Sequence, residues 1–393
     1  MRPPFGNAFS GRSVFVTGHT GFKGSWLCLW LERLGAKVTG YALEPPTDPN
    51  NFTISRVRDV LADHYEADIR DEETLHAAMR KADPDLILHL AAQSVVRRSY
   101  EIPRETFDVN VMGTASVLES VRRLDKPCAV ICITSDKCYQ NREQVWGYRE
   151  SDPFGDHDPY GGSKGAAEIL IRSYRHSFFP TERLDTHGVK LASGRAGNVI
   201  GGGDWTPHAL IVDIVRALSQ NRPAQIRNAG AFRPWQHVLQ ALSGYLTLAA
   251  KLLESDDPKY CSGWNIGPLP GNELPVRQIV EMFLQEWGSG SWEDVSDVSQ
   301  PHEAHVLRLA IDKAIWLLGW KPRWTVQEAL RQTARWYRRY FETPESMRDL
   351  CIEQICAYEA AYETPPNLPV APVVPDVTPG PQSLLSLDAR RHG

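Results

Sequence analysis

The strongest indication of the fold is the stretch SVFVTGHTGFKG, residues 13–24. It reads as a short apolar strand that runs directly into a glycine-rich turn. An amphipathic helix follows, with Trp26, Leu27, Trp30 and Leu31 at helical spacing, and it ends at Gly35. A second apolar strand at 37–42 completes a strand-helix-strand unit.

The alternation continues beyond this unit. The pattern predicts helices at 71–81, 106–124 and 160–178, and strands at 85–90, 128–134 and 189–194. Strands that alternate with helices form parallel sheets covered on both faces. The sequence therefore predicts an α/β protein with a doubly wound parallel sheet of the Rossmann type.

The spacing becomes irregular after the glycine triplet at 201–203. Short strands are predicted at 224–227 and 264–266, and helices at 210–219, 238–253, 276–285 and 326–341. This pattern indicates a smaller C-terminal α/β lobe. We predict a Rossmann domain at 10–200, a second lobe at 201–363 and a disordered Pro-rich tail at 364–393, where core-forming residues are too few to offset ordering entropy.

Composition excludes several classes of protein. The 393 residues carry a formal net charge of -5, so there is no basic face for nucleic acid or an anionic membrane. No stretch approaches the roughly 20 apolar residues that span a bilayer, and the N-terminus lacks a signal peptide pattern. Seven scattered cysteines without paired spacing predict reduced thiols and a cytoplasmic location.

The glycine-rich turn predicts a dinucleotide site. Gly18 permits the tight turn, Gly21 lets the backbone approach a pyrophosphate, and Gly24 lets helix and strand pack closely. A glycine triplet alone also fits a simple turn with a helix cap, but its place between a strand and a helix favours a cofactor loop. The predicted contacts from this loop are Gly18, Thr20, Gly21, Phe22, Lys23 and Gly24.

The end of the second strand bears on the choice of dinucleotide. No acidic residue stands near Ala42 to bind a ribose, and Glu44 comes two positions late. No Arg or Lys is there to pair with a 2′-phosphate either. The sequence favours NAD over NADP.

Tyr160 and Lys164 form a YxxxK pair at the start of a predicted helix. This spacing puts the phenol and the ammonium one turn apart on one face. A nearby cation favours the phenolate form of a group whose pKa is otherwise about 10. The pair also fits a surface contact on a helix, but within a Rossmann pattern it predicts a catalytic base.

Several phrases carry a family resemblance. They are TGHTGFKGSW at 17–26, VVRRSY at 95–100, ITSDKCY at 133–139, GRAGNVIGGGDW at 194–205 and RPWQHV at 233–238. Over roughly residues 10–345 the chain resembles the extended short-chain dehydrogenase/reductases and, among them, the CDP-glucose 4,6-dehydratases. This resemblance implies bound NAD that takes the C4 hydride of CDP-glucose and returns it to C6 after water is eliminated across C5 and C6. It also implies a role in deoxysugar biosynthesis for lipopolysaccharide O-antigen.

The resemblance implies roles for the residues that follow the strand at 128–134. Tyr160 takes the 4-hydroxyl proton, Asp136 donates a proton to the 6-hydroxyl, and Lys137 stands where related dehydratases have the glutamate that takes the C5 proton. Ser135 is expected to serve both catalysis and substrate binding. Two alternatives stay open for Lys137: it is the base that removes the C5 proton, or it forms a structural ion pair with Asp136.

Further binding residues are implied in the same way. Asp68, Ile69, Leu90, Ala91 and Ala92 match cofactor-binding segments, together with Tyr160 and Lys164. Predicted substrate ligands are Gln93, Arg97, Ser135, Asn198, Arg195, Arg233 and Trp235. Alternatives stay open for three of them: Arg97 also fits a solvated charge or a dimer contact, Arg195 a structural cation, and Trp235, like Trp205, a core aromatic.

The remaining predictions concern partners. His19, His89, His208 and His237 are far apart, show no ligand spacing and predict no metal site. The helices at 106–124 and 160–178 match the pair that packs across short-chain dehydrogenase dimers, which implies a homodimer or a tetramer. Two competing functions are a nucleotide-sugar 4-epimerase, which would not need the Asp136 and Lys137 pair, and a non-catalytic dinucleotide-binding protein, which would not need Tyr160 and Lys164.

Overall fold

A seven-stranded parallel sheet forms the centre of the protein. The structure is a computed structural model, and it describes residues 5–269, 273–296 and 307–362. The strands of this sheet are β1 (Ser13–Thr17), β2 (Lys37–Ala42), β3 (Asp63–Glu66), β4 (Leu86–His89), β5 (Cys128–Ile133), β6 (Val189–Arg195) and β11 (Gly263–Asn265). Their order is β11-β6-β5-β4-β1-β2-β3.

Helices cover the sheet. They are α1 (Phe22–Arg33), α2 (Asn51–Ile54), α3 (Glu72–Ala82), α4 (Val96–Glu101), α5 (Pro103–Phe107), α6 (Gly113–Leu124), α7 (Pro159–Ser177), α8 (Leu184–His187), α9 (Leu210–Ser219), α10 (Val238–Glu254), α11 (Val276–Trp287), α12 (Val326–Glu342) and α13 (Met347–Ala360). The predicted elements match these to within a few residues, with the exception described below.

The sheet is buried on both faces because its strands are apolar at successive positions. Val14 and Val16 point into one hydrophobic cluster, and Phe15 between them points into the other. The first cluster continues without a break into α10, α12 and α13, while the second lies under α3, α6 and α7. The doubly wound parallel sheet predicted from the sequence is confirmed.

The strand order reverses between β1 and β4. From β1 the chain first adds β2 and β3 on one side, and it then crosses over to add β4, β5, β6 and β11 on the other side. Thr17 and His89, the last residues of these strands, lie side by side in the register. In an open α/β sheet the crevice beyond the carboxyl ends at such a switch point is where ligands bind. The glycine-rich turn and the 90–93 segment both start at this crevice.

One helix that the sequence predicts as continuous is interrupted in the structure. The span 106–124 is interrupted by a π-helical turn, Asp108–Met112, between α5 and α6. The Asn110 side chain inside that turn bonds to neighbours outside the helix, with its Nδ2 donating to Gln93 O at 3.0 Å and to Ser163 Oγ at 2.9 Å. Such single-turn bulges are frequent at functional sites.

The C-terminal residues build three two-stranded sheets beside the main one. β10 (Gln236–His237) pairs with β7 (Val199–Ile200), β12 (Glu273–Pro275) with β9 (Phe232–Pro234), and β13 (Trp292–Asp294) with β8 (Ala224–Ile226). β11 joins the main sheet, so the division predicted at residue 200 stays a prediction. The predicted disordered tail at 364–393 lies outside the described residues.

Candidate active site

The glycine-rich turn closes tightly against β4. Gly18 has a φ of +72°, and a side chain there would bring Cβ within 2.7 Å of the Ala91 backbone nitrogen. A Cβ at Gly24 would lie 2.2 Å from Gly18 O. Thr17 Oγ1 accepts the backbone N–H groups of Leu90 and Ala91 at 3.2 and 3.1 Å. The loop thus brings bare backbone to the crevice, as a pyrophosphate cradle requires.

The N-terminus of α1 fits an anionic ligand. Gly21 is its N-cap, so no side chain bonds to the first N–H groups, and no acidic residue lies in the first turn. Uncapped N–H groups and the helix dipole together favour a phosphate at this position. The residues present therefore fit a dinucleotide, held by the loop and the first turn of α1.

The segments predicted to hold the adenine and ribose of the cofactor show fewer features of a binding site. The Asp68 carboxylate is bound by its neighbour Arg70, with Arg70 Nη2 at 2.6 Å from Oδ2. Ile69 is buried, and its Cγ2 would lie 2.7 Å from a Cβ at Gly113, which is why a glycine opens α6. Asp68, Ile69, Leu90, Ala91 and Ala92 stay predictions as cofactor contacts.

Tyr160 and Lys164 lie in the first turns of α7. Asp158 caps this helix by accepting the Gly161 N–H at 2.9 Å, and Pro159 stands at its first position. Both functional side chains are buried, at 8 % and 5 % exposure. Desolvation by burial lowers the pKa of Lys164 to about 8, with the Lys23 charge as the second cause.

The sequence predicts a Tyr160 phenol activated by its cation, and burial acts in the opposite direction. Desolvation raises the pKa of Tyr160 well above its usual value, and a hydrogen bond with the Ser135 side chain lowers it in part. The phenol therefore needs a neighbouring acceptor for its proton. Ser135 is the side chain that the structure places against it.

The Ser135 to Cys138 segment sits where β5 ends. Ser135 Oγ accepts the Lys137 N–H at 3.2 Å and donates to Asp136 Oδ1 at 3.0 Å. Asp136 is 2 % exposed, and its Oδ2 has no hydrogen-bond partner among the described residues. A Cβ at Gly197 would overlap this oxygen at 1.6 Å, so the glycine of the GRAGN phrase makes room for the carboxylate.

Lys137 is half-buried beside Asp136. Among the described ion pairs none joins Lys137 to Asp136, and Lys137 instead acts on Asp156, where its charge opposes the rise in pKa that burial causes. The described contacts thus give no support to the structural pair with Asp136. Its role as the C5 base stays a prediction.

Lys23 has a role that the sequence reasoning did not anticipate. It was predicted only as part of the cofactor loop, but its ammonium is electrostatically coupled to Asp136, Asp204 and Lys164. Desolvation lowers the pKa of Lys23 to about 8, and the two carboxylates oppose that shift. A lysine between two glycines of a phosphate loop was the available signal. Lys23 thus brings a cation of the cofactor loop close enough to the catalytic segment for their charges to interact.

Arg195 is bonded within the protein. This residue is 3 % exposed, and its guanidinium donates to Glu168 through Nε and Nη2, each at 2.8 Å, and to Tyr139 Oη at 2.6 Å. Every guanidinium nitrogen thus has a partner inside the protein. These contacts favour the structural cation that the sequence left open, and the assignment of Arg195 as a substrate ligand stays a prediction.

The Glu168 and Arg195 pair holds both ends of the catalytic segment. Glu168 Oε1 accepts a hydrogen bond from Thr134 Oγ1 at 2.5 Å, and Thr134 directly precedes Ser135. Arg195 holds Tyr139, which directly follows Cys138, and its guanidinium lies over the Tyr139 ring at 5.3 Å. Glu168 is also one turn beyond Lys164 on α7. One buried ion pair therefore fixes the segment relative to the helix that carries the base.

We expect Glu168→Gln to lower the free energy of unfolding by about 3–5 kcal/mol, because it leaves the Arg195 charge buried without its partner. Chemical denaturation measures the change. The control is Glu119→Gln, which removes the surface pair with Arg122 and should cost less than about 1 kcal/mol. Equal losses in the two variants would contradict the anchoring role of the buried pair.

Asn110 is a site residue that the sequence analysis missed. Its Oδ1 accepts the Gln93 N–H at 2.9 Å, and its Nδ2 reaches Ser163 on α7. The Gln93 side chain is itself bonded locally, accepting Val95 N–H at 2.7 Å and donating to Thr106. An asparagine inside an otherwise helical stretch was the available signal. Gln93 stays a prediction as a substrate ligand.

The other predicted substrate ligands lie in two places. Asn198, in the left-handed region at φ +41°, accepts the Gln236 N–H at 3.2 Å, so it meets the segment that carries Arg233. Arg97 lies on α4, half-buried. Asn198, Arg233 and Arg97 stay predictions. Trp235 is 5 % exposed and donates to Leu274 O at 3.1 Å, which supports the core alternative, and its assignment as a ligand stays a prediction.

The buried histidines have partners within the protein. His19 Nε2 lies 2.7 Å from His64 Nδ1, and the His89 ring lies between Thr17 Oγ1 and Thr114 Oγ1 at 2.7 and 3.0 Å. Burial lowers the pKa of His19 and of His89 to about 3, so both rings are neutral. Within the described ranges no group of three or more His, Cys, Asp or Glu side chains could hold a metal ion, and no helix is long and apolar enough to cross a membrane.

A YxxxK pair beside a glycine-rich loop, both at the switch point of a doubly wound sheet, defines an enzyme of the short-chain dehydrogenase/reductase class. A family model for GDP-mannose 4,6 dehydratase matches residues 15–333. The chain belongs to this family of nucleotide-sugar 4,6-dehydratases.

Similar proteins agree with this membership. The chain is 48% identical over 334 residues to a CDP-glucose 4,6-dehydratase of Salmonella typhimurium, covering 85% of this chain and 92% of that protein. Among solved structures, a dTDP-glucose 4,6-dehydratase from Streptomyces venezuelae with bound NAD has a TM-score of 0.70 at 24% identity, covering 84% of this chain and 99% of the other. A UDP-glucose-4-epimerase from Stenotrophomonas maltophila with bound NAD has a TM-score of 0.71 at 22% identity, covering the same shares. These two structures support the fold.

Proposed function

We propose that the protein converts CDP-D-glucose to CDP-4-dehydro-6-deoxy-D-glucose and water with bound NAD. The observation that carries the proposal is the meeting of Tyr160, Ser135 and Asp136 in one buried cluster beside the dinucleotide loop. An oxidation at C4 needs the phenol, and an elimination at C6 needs an additional acid. A 4-epimerase has no use for the second group.

NAD would be held by the glycine-rich loop and by the uncapped first turn of α1. When bound, it would supply the redox chemistry, as a reversible acceptor for the C4 hydride. The absence of a charged residue at the end of β2, where Leu43 is exposed, supports NAD over NADP.

The residues of α7 open the reaction. Tyr160 accepts the proton of the 4-hydroxyl, and Lys164, buried beside it, holds positive charge near the developing alkoxide. Because burial brings the pKa of Lys164, like that of Lys23, to about 8, raising the pH above neutrality removes positive charge from this site.

The residues after β5 carry the elimination. Asp136 donates a proton to the departing 6-hydroxyl, and Lys137 removes the proton from C5, which the C4 ketone makes acidic. Lys137 later returns that proton to C5. Lys137 stands where related dehydratases have a glutamate, and this departure supports membership of the cytidine-linked branch.

The choice of cytidine rests on the 48% identical relative. The test is to incubate the purified protein with CDP-, dTDP-, UDP- and GDP-hexoses, with and without added NAD, and to measure the 4-keto product by its absorbance in alkali. We expect product from CDP-glucose. Product from another nucleotide sugar alone would keep the chemistry and overturn the specificity, and no product from any would overturn the function.

We also propose a homodimer that packs through α5, α6 and α7. Large apolar side chains are exposed in this region: Phe107 on α5 at 40%, Met112 in the π-helical turn at 57% and Ile169 on α7 at 59%. Exposed apolar patches mark association surfaces. Light scattering of the purified protein measures the state directly, and a monomer would contradict the proposal. The tetramer, the cytoplasmic location and the O-antigen role stay predictions.

A further inference from the structure

The proposed reaction needs one proton to travel from O4 to O6. It releases water and no proton, so the hydrogen that leaves the 4-hydroxyl is matched by the one that O6 gains as it departs. Tyr160 receives the first and Asp136 gives the second. The two groups must therefore exchange a proton in each turnover, through solvent or through the protein.

Ser135 stands between them. The Ser135 side chain lies within hydrogen-bonding reach of the Tyr160 phenol, where it lowers the pKa of that phenol, and Ser135 Oγ donates to Asp136 Oδ1 at 3.0 Å. The Ser135 oxygen is held in place by the Lys137 N–H at 3.2 Å. A serine hydroxyl both donates and accepts, so it can receive one proton while it passes on another.

Solvent has little access to this path. Tyr160, Ser135 and Asp136 are 8 %, 6 % and 2 % exposed, and Asp136 packs directly against Gly197. Proton transfer along short bonds inside a buried network avoids an exchange with bulk water. The burial of all three groups thus favours an internal route.

We propose, resting on the function proposed above, that Ser135 relays the O4 proton from Tyr160 to Asp136 and so loads Asp136 as the acid for C6. As O4 gives its proton to the phenol oxygen, the phenol gives its own to Ser135 Oγ, and Ser135 gives its own to the Asp136 carboxylate. Asp136 then donates this proton to O6 as the C6–O bond breaks and water leaves. The C5–H electron pair forms the C5–C6 double bond while Lys137 holds the C5 proton, and Asp136 ends as the carboxylate with which it began.

The relay also explains how Tyr160 acts as a base although burial raises the pKa of its phenol. Because the proton passes through Tyr160, no free phenolate has to be stored in the buried site. The raised pKa of Tyr160 is then compatible with its work as a base. Oxidation at C4 and loading of the acid for C6 become a single event.

The test separates the relay from a role of Asp136 at C6 alone. CDP-6-deoxyglucose lacks the 6-hydroxyl and can only be oxidised at C4. With enzyme in excess, a sodium borodeuteride quench places deuterium at C4 in proportion to the ketone formed. We expect Asp136→Asn to slow this oxidation by about 10²-fold or more, whereas Asp204→Asn, which also removes a carboxylate facing Lys23, should slow it much less.

Serine variants test the hydroxyl itself. Ser135→Ala should slow C4 oxidation of the same analogue by a similar factor, and Ser135→Thr, which keeps a hydroxyl, should restore most of it. Oxidation at the wild-type rate in Asp136→Asn would overturn the relay while wild-type turnover of CDP-glucose still stands. Equal losses in Ser135→Ala and Ser135→Thr would also overturn it.

Discussion

Tyr160→Phe is expected to lower kcat for CDP-glucose by about 10²- to 10⁴-fold. The substitution removes the phenol oxygen that accepts the 4-hydroxyl proton and leaves the ring to fill its buried position. Dinucleotide affinity should change little, because the loop at Gly18 and the first turn of α1 do not depend on the hydroxyl. Turnover assays and calorimetric titration of NAD measure the two quantities.

Parallel losses of turnover and of NAD affinity would mean that the variant had disturbed the fold. Tyr139→Phe is a matched control, since Tyr139 is also buried and its hydroxyl bonds to Arg195 and Asn265 away from the phenol of Tyr160. We expect Tyr139→Phe to lower the free energy of unfolding and to leave the rate of C4 oxidation almost unchanged. Normal turnover in Tyr160→Phe would remove the base from this account.

Lys137→Met is expected to stop the reaction after C4 oxidation, with overall turnover about 10²- to 10⁴-fold slower. The variant keeps Tyr160, Ser135 and Asp136, so the ketone should still form, and borodeuteride should still place label at C4. Exchange of the C5 hydrogen with deuterated solvent should disappear, because the group that removes the C5 proton is gone. Mass spectrometry of the recovered sugar measures both labels.

Lys137→Arg separates a base from a structural cation. A guanidinium keeps the positive charge that faces Asp156 but does not lose its proton in proteins. If Lys137 is the base, the arginine variant should fail as the methionine variant does. Normal turnover in Lys137→Arg would show that the charge alone matters and that another group takes the C5 proton.

The fold followed from the sequence because its decisive signals are local. The strand at Ser13–Thr17, the glycine-rich turn and α1 are contiguous, and the repeated alternation of elements left few topologies open. The interruption at Asp108–Met112 could not be predicted in this way, because it depends on Asn110 reaching Gln93 and Ser163 from elsewhere in the chain.

The site was predictable where a motif fixed the geometry. Tyr160 and Lys164 share a helix face, and Ser135 and Asp136 are adjacent, so their proximity follows from spacing. Sequence spacing could not decide between the two roles left open for Arg195, because its partner Glu168 is 27 positions away, and only the packing of α7 on β6 shows that the guanidinium is fully bonded. The coupling of Lys23 to Asp136 likewise appears only once β1, β5 and α1 are assembled.

In the proposed reaction, hydrogen moves from C4 to C6 within one sugar. CDP-glucose carrying deuterium at C4 tests this transfer, and the position of the label in the product is read by NMR. We expect deuterium at C6 of the 4-keto-6-deoxy product, with no crossing over when labelled and unlabelled substrates are mixed. Deuterium retained at C4 with no keto product, as a 4-epimerase would leave it, would contradict the proposed function.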